Sequence, residues 1–73
     1  MLFIVGFDIK PGTYKTEVTD TTMKIGYVER LKDVSMNGDA IIANEVLQGP
    51  GYVKIKESDF AVRVQGAKLT LQE

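Results

Sequence analysis

Apolar and polar side chains alternate with a period of two along much of this chain, and that period selects strands. In Tyr52-Val53-Lys54-Ile55-Lys56 the valine and isoleucine fall on one side and the lysines on the other. Phe60, Val62 and Val64 alternate with Ala61, Arg63 and Gln65; Leu69 and Leu71 alternate with Lys68, Thr70 and Gln72. Tyr14, Thr16 and Val18 oppose Thr13, Lys15 and Glu17 in the same way. Such patterns describe half-buried strands with one wet face. Met23, Ile25 and Tyr27 oppose Lys24, Gly26 and Val28, a strand that is apolar on part of both faces. Leu2 to Val5 is apolar throughout and reads as a central or covered strand.

Turn residues punctuate these runs at short intervals: Lys10-Pro11-Gly12, Thr19-Asp20-Thr21, Asn37-Gly38-Asp39, Gly49-Pro50-Gly51, Glu57-Ser58-Asp59 and Gly66. Pro11-Gly12 fits a type II turn, and Asn37-Gly38 fits the type I′ turn of a tight hairpin. Residues 39–47 can be read two ways. Asp39 could cap a short helix with Ile42/Val46 and Ala43/Leu47 as i,i+4 pairs, or the segment can be a strand; strand is favoured because isolated short helices are marginal. The expectation is a single domain over residues 1–73, all-β, as a small antiparallel barrel or sandwich of about six to seven short strands. Val, Ile and Thr supply 20 of the 73 residues, which agrees.

The chain has no histidine and no cysteine. That removes the common zinc, haem and iron–sulfur ligand sets, the Ser-His-Asp and Cys-His nucleophile systems, and thiol redox chemistry. Carboxylate catalysis would need two acids converging in a desolvated concavity, and a domain this small has little depth for one. No enzyme activity and no cofactor are expected. Nine basic against ten acidic residues give a net charge of −1. Residues 1–36 carry five of each sign, so no basic stripe for nucleic acid and no polybasic membrane anchor is present.

A few residues invite a functional reading. Tyr27 and Arg30 lie on one strand, a pairing common at contact hot spots. Tyr14, Tyr27 and Tyr52 could form an exposed aromatic platform. These four, Tyr14, Tyr27, Arg30 and Tyr52, are the candidate interaction residues. Glu57 and Asp59 could offer oxygens to calcium, although a capped turn explains Ser58-Asp59 as well. Asp8 suits a structural role, accepting backbone N–H bonds near Pro11. Gly49-Pro50-Gly51 is too short for a phosphate loop.

Several segments together resemble a known family. Val5-Gly6-Phe7-Asp8-Ile9-Lys10-Pro11-Gly12-Thr13-Tyr14-Lys15-Thr16 looks like the opening of a small β domain of actinobacterial secreted proteins and lipoproteins, found also in their phages. Tyr27-Val28-Glu29-Arg30-Leu31, Gly38-Asp39-Ala40-Ile41-Ile42-Ala43-Asn44 (with the spacing before the isoleucines slightly changed), Gly49-Pro50-Gly51-Tyr52-Val53-Lys54-Ile55, and Ser58-Asp59-Phe60-Ala61-Val62 leading to Gln65-Gly66-Ala67 follow in the family's order, and the resemblance spans residues 5–67. The family's two cysteines fall on Gly26 and Ala67, and its tryptophan on Val28. The paired loss fits a disulfide given up in a reducing compartment. The apolar start Met1–Val5 has no preceding basic residue, unlike a signal peptide. The expectation is therefore a stand-alone, phage-encoded, cytoplasmic or virion protein. Its function would be that of a non-enzymatic binding or structural module, docking on a protein partner or on itself as a homo-oligomer. The alternative is a small-molecule carrier with a void lined by Phe3, Ile25, Val53 and Phe60 inside a partly open barrel.

Overall fold

In the computed structural model, which describes residues 1–35 and 37–73, the alternating segments form seven strands. These are β1 (Leu2–Ile4), β2 (Gly12–Val18), β3 (Gly26–Leu31), β4 (Ile41–Leu47), β5 (Gly51–Ile55), β6 (Ala61–Gln65) and β7 (Ala67–Leu71). They make two antiparallel sheets, ordered β1-β6-β3-β4 and β5-β2-β7. The inward side chains of both sheets meet in one core of Tyr14, Val28, Leu47, Ile55, Val62 and Val64. The architecture is a sandwich and not a closed barrel: β1 and β4 remain edges of one sheet, β5 and β7 edges of the other.

The two sheets are joined at a one-residue corner. Only Gly66 separates β6 from β7, so a single polypeptide run leaves one sheet and enters the other. Gly66 has φ +64, and a Cβ there would lie 2.7 Å from the Ile25 carbonyl oxygen. Both the handedness and the lack of space require glycine. Its carbonyl accepts the N–H groups of Thr19 and Asp20 at 2.8 and 3.2 Å, tying the end of β2 to the corner. Beside it, a Cβ built on Gly26 would lie only 2.9 Å from the Cβ of Ala67. Positions 26 and 67 are thus in direct contact.

The strand reading of residues 39–47 holds for Ile41–Leu47, with one 3₁₀ turn, Gly38–Ala40, leading in. Other expectations need correction. Asn37-Gly38 does not form a type I′ turn: Asn37 is extended at φ −80° and ψ 151°, and Gly38 lacks positive φ. A type I′ turn needs two residues between paired strands, whereas residues 32–40 lie between β3 and β4. Gly12, at φ +152, is the first residue of β2 and not the third position of a type II turn. The Lys10 carbonyl is instead satisfied by the Tyr14 hydroxyl, at 2.7 Å.

The apolar N-terminus is an edge strand, not a central one. Phe3 points inward while Leu2 stands exposed opposite Arg63. Met23 and Ile25 lie outside any strand and are exposed, because Asp20 Oδ2 accepts the N–H groups of Met23 and Lys24 and holds that segment as a loop. Phe60 precedes β6 and is exposed as well.

Thr16 is fully buried at the centre of β2, and its hydroxyl has no hydrogen-bond partner among the described residues. Burying such a group costs about 1–3 kcal/mol. Thr16→Val, which keeps the shape, should therefore raise the stability by about 1 kcal/mol in a denaturant titration. Val62→Ala or Ile55→Ala should lower it by about 1–4 kcal/mol in the same assay, since both side chains are sealed in the core. A less stable Thr16→Val variant would show that the hydroxyl is bonded after all.

Cysteines at 26 and 67 should close a disulfide in oxidising buffer, after a shift of about 1 Å toward the usual Cβ separation. The bridge should add about 2–4 kcal/mol, read as a higher Tm that reductant reverses. Persistent free thiols under oxidant would contradict the contact.

Candidate functional site

Alternation along β3 sends its side chains to two different surfaces. Tyr27, Glu29 and Leu31 face outward from the four-stranded sheet, whereas Val28 and Arg30 face the second sheet. Across the outer face Leu2, Arg63, Glu29 and Asn44 stand in one row, from β1 through β6 and β3 to β4. Glu29 is buried there, flanked by Asn37 and Gly38 of the β3–β4 connection and by Ile41 at the start of β4. A buried carboxylate needs partners. Tyr27 Oη donates to Glu29 Oε2 at 2.5 Å, and Arg63 Nε lies 3.0 Å from Glu29 Oε1. The Arg63 contact is an ion pair whose N–H is not aligned as a hydrogen bond. Asn44 Nδ2 donates to the Tyr27 oxygen at 3.3 Å. Donating to a carboxylate makes the phenol harder to ionise, so Tyr27 is held above the usual tyrosine pKa, with the Asn44 bond opposing in part.

Arg30 belongs elsewhere. Its Nη1 lies 3.2 Å from Asp59 Oδ2, in the turn between β5 and β6. Asp59 is buried and also accepts the Lys56 N–H at 2.9 Å. This is the capped-turn role expected of Ser58-Asp59. Asp8 likewise accepts the Ile4 N–H, at 2.8 Å. Among the described residues no cluster of three or more acids is placed to hold a metal ion. The two buried carboxylates, Glu29 and Asp59, each have an arginine of their own and lie on opposite sides of β3.

Between the two sheets, the open edges leave concavities on both sides. One, of about 270 Å³, lies between β4 and β5 and brings Arg30 and Tyr52 together with Val28 and Val53. The other, of about 540 Å³, lies between the β1 and β7 edges. Its walls are Phe3, Ile9, Tyr14, Val64, Leu69 and Leu71, with Asp8, Lys10 and Lys68 on its rim. The tyrosine platform does not exist: Tyr14 is in the core at 6% exposure, while Tyr27 and Tyr52 stand on different sheets. The expected void is also differently built. Of its four residues only Phe3 lines the larger cleft, Val53 lines the smaller, and Ile25 and Phe60 lie exposed. The residues that sequence reasoning missed are Ile9, Lys10, Lys68 and Leu71. The Leu69/Leu71 alternation signalled an inward face, but not that this face borders an open edge.

With that geometry in view, comparison with known proteins adds one match. Residues 2–68 match the Rv1352-like extracellular domain, a mycobacterial family. The chain belongs to this family. No curated protein and no solved structure matches it. Membership in a family of extracellular domains corrects the expected location: it points to a secreted protein, not a cytoplasmic or virion one. The absence of cysteine was the misleading signal, since a reducing compartment is not required where Gly26 and Ala67 pack directly. No helix among the described residues is long and apolar enough to cross a membrane.

The Tyr27–Glu29 bond predicts a titration. Ultraviolet absorbance should show one tyrosine ionising above the usual value of about 10, lost in Tyr27→Phe. Glu29→Gln should bring it down, because the neutral amide does not oppose the phenolate. A raised folded-state pKa means the bond's stabilisation is present at neutral pH and is lost as pH climbs through the raised value. An unchanged Tyr27 transition in Glu29→Gln would assign the shift to another cause.

Proposed function

We propose that this domain is a non-enzymatic extracellular binding module whose protein contacts run through the β4 side of the four-stranded sheet. The observation that carries this is the state of β4. It is the outer strand, seven residues long, with no proline or lysine to block a further strand. Its outward Ile42 and Val46 are both exposed, Val46 at 60%, beside the ordered Tyr27–Glu29–Asn44 group. A second copy could pair antiparallel about Asn44, setting Ile42 of each protomer against Val46 of the other. Such β-branched cross-strand pairs are favourable, and the two-fold symmetry closes the assembly at a dimer.

The motif-level kinship with small β domains that carry a cysteine pair belongs to the same reading. The contact between positions 26 and 67 supports it, because a disulfide there would staple the corner that Gly26 and Ala67 close by packing. A second reading, carriage of a small molecule, is favoured by one observation, the 540 Å³ apolar cleft, which falls in the usual range for ligand pockets of about 300–1,000 Å³.

Sedimentation velocity over a concentration series tests the first reading. The wild-type chain should show a monomer–dimer equilibrium, and Val46→Lys should shift it to monomer without lowering the melting temperature. A wild-type chain that stays monomeric at the highest concentrations, or a Val46→Lys variant that dimerises equally well, would remove β4 as the contact.

A further inference from the structure

We propose that the cleft between the β1 and β7 edges takes a single-chain amphiphile with an anionic headgroup, its alkyl chain between the sheets and its head at Lys10 and Lys68. This rests on the carriage reading above and names the ligand class. The cleft is apolar where it is deep: Tyr14 and Val64 are buried, and Phe3, Ile9, Leu69 and Leu71 are half-buried. The one polar side-chain atom of this wall, the Tyr14 hydroxyl, already donates to the Lys10 carbonyl at 2.7 Å. The side chains of the wall therefore suit hydrocarbon and leave no free polar side-chain group to orient a polar ligand. Its volume equals that of roughly 18 waters at about 30 Å³ each, and a methylene fills nearly the space of a water. That is room for one alkyl chain of roughly 12 to 16 carbons.

The rim decides the head. Three charged residues stand there, Asp8, Lys10 and Lys68, all exposed. The Asp8 carboxylate is engaged by its own loop, accepting the Ile4 N–H. Neither lysine forms an ion pair within 4.0 Å among the described residues, although Lys68 faces Glu17 in the strand register. Two lysines against the one carboxylate of Asp8, which keeps its charge while accepting the N–H, thus give the rim of this apolar cavity a net charge of +1. That arrangement favours a carboxylate or similar anion at the mouth over a neutral or cationic head. Phe7, at 90% exposure, sits on the same loop as Asp8 and Ile9, so an apolar side chain also stands free beside the entrance.

The test uses the intact chain with three probes below their micellar concentrations: dodecanoate, dodecanol and dodecyltrimethylammonium. Amide chemical-shift titration gives both the location and the affinity. Dodecanoate should perturb Phe3, Ile9, Val64 and Leu69–Leu71, and should bind roughly three- to tenfold tighter than dodecanol, with the advantage shrinking at high salt. In the Lys10→Gln, Lys68→Gln double variant, which changes only exposed side chains, the two should bind alike. Equal binding of dodecanoate and dodecanol to the wild-type chain, or tighter binding of the trimethylammonium, would overturn the headgroup assignment and leave carriage standing. No perturbation of the cleft by any of the three would overturn both.

Discussion

The sandwich hangs on the contact at Gly26, Gly66 and Ala67, where one strand passes from sheet to sheet through a single residue. The corner is tight because no side chain stands in the way: the Ile25 carbonyl and the Ala67 methyl occupy the space that Cβ atoms at 66 and 26 would need. With β6 and β7 continuous, the second sheet must lie across the first, and the inward faces of both fill one core. The same connection sets which edges oppose each other. β1 comes to lie near β7 and β4 near β5, and both clefts follow from that placement.

Charge is handled differently on the two sides of the central strand. Glu29 and Arg30 are neighbours in sequence, yet each finds its opposite charge on a different surface: Arg63 on the outer face, Asp59 in the β5–β6 turn. Removing one partner of either pair would strand a buried or half-buried charge, which costs far more than the pair itself contributes. These residues therefore hold the register of β3 against β6 and the conformation of the turn, and they leave other surfaces free of buried charge. Those surfaces are the exposed apolar positions on β4 and the hydrocarbon-lined cleft at the β1/β7 edge.

Particular residues show where sequence reasoning reached its limit. Val53/Ile55, Val62/Val64 and Leu69/Leu71 disclosed their inward faces because burial in a sheet has a period of two that neighbours cannot alter. Asn37-Gly38 misled because a local turn preference was outweighed by the long β3–β4 connection. Phe60, Met23 and Ile25 misled because apolar character fixes what a side chain would gain from burial, not whether the sheet extends far enough to bury it. Of the four candidate contact residues, Tyr14 was spent on the core. Arg30 and Tyr52 met in the smaller cleft, and Tyr27 became part of the outer-face network. The larger cleft was hidden, since its walls come from β1, β2, β6 and β7 and only edge placement joins them.

Local chemistry thus determined the strand content, the inward and outward side of most strands, and the absence of thiol and imidazole chemistry. Those properties depend on each residue and its immediate neighbours. Tertiary structure alone decided which strands became edges, which charges were buried, and where space remained between the sheets. Each of these depends on pairings between segments distant in the chain, and loop-closure geometry, not side-chain type, selects among them.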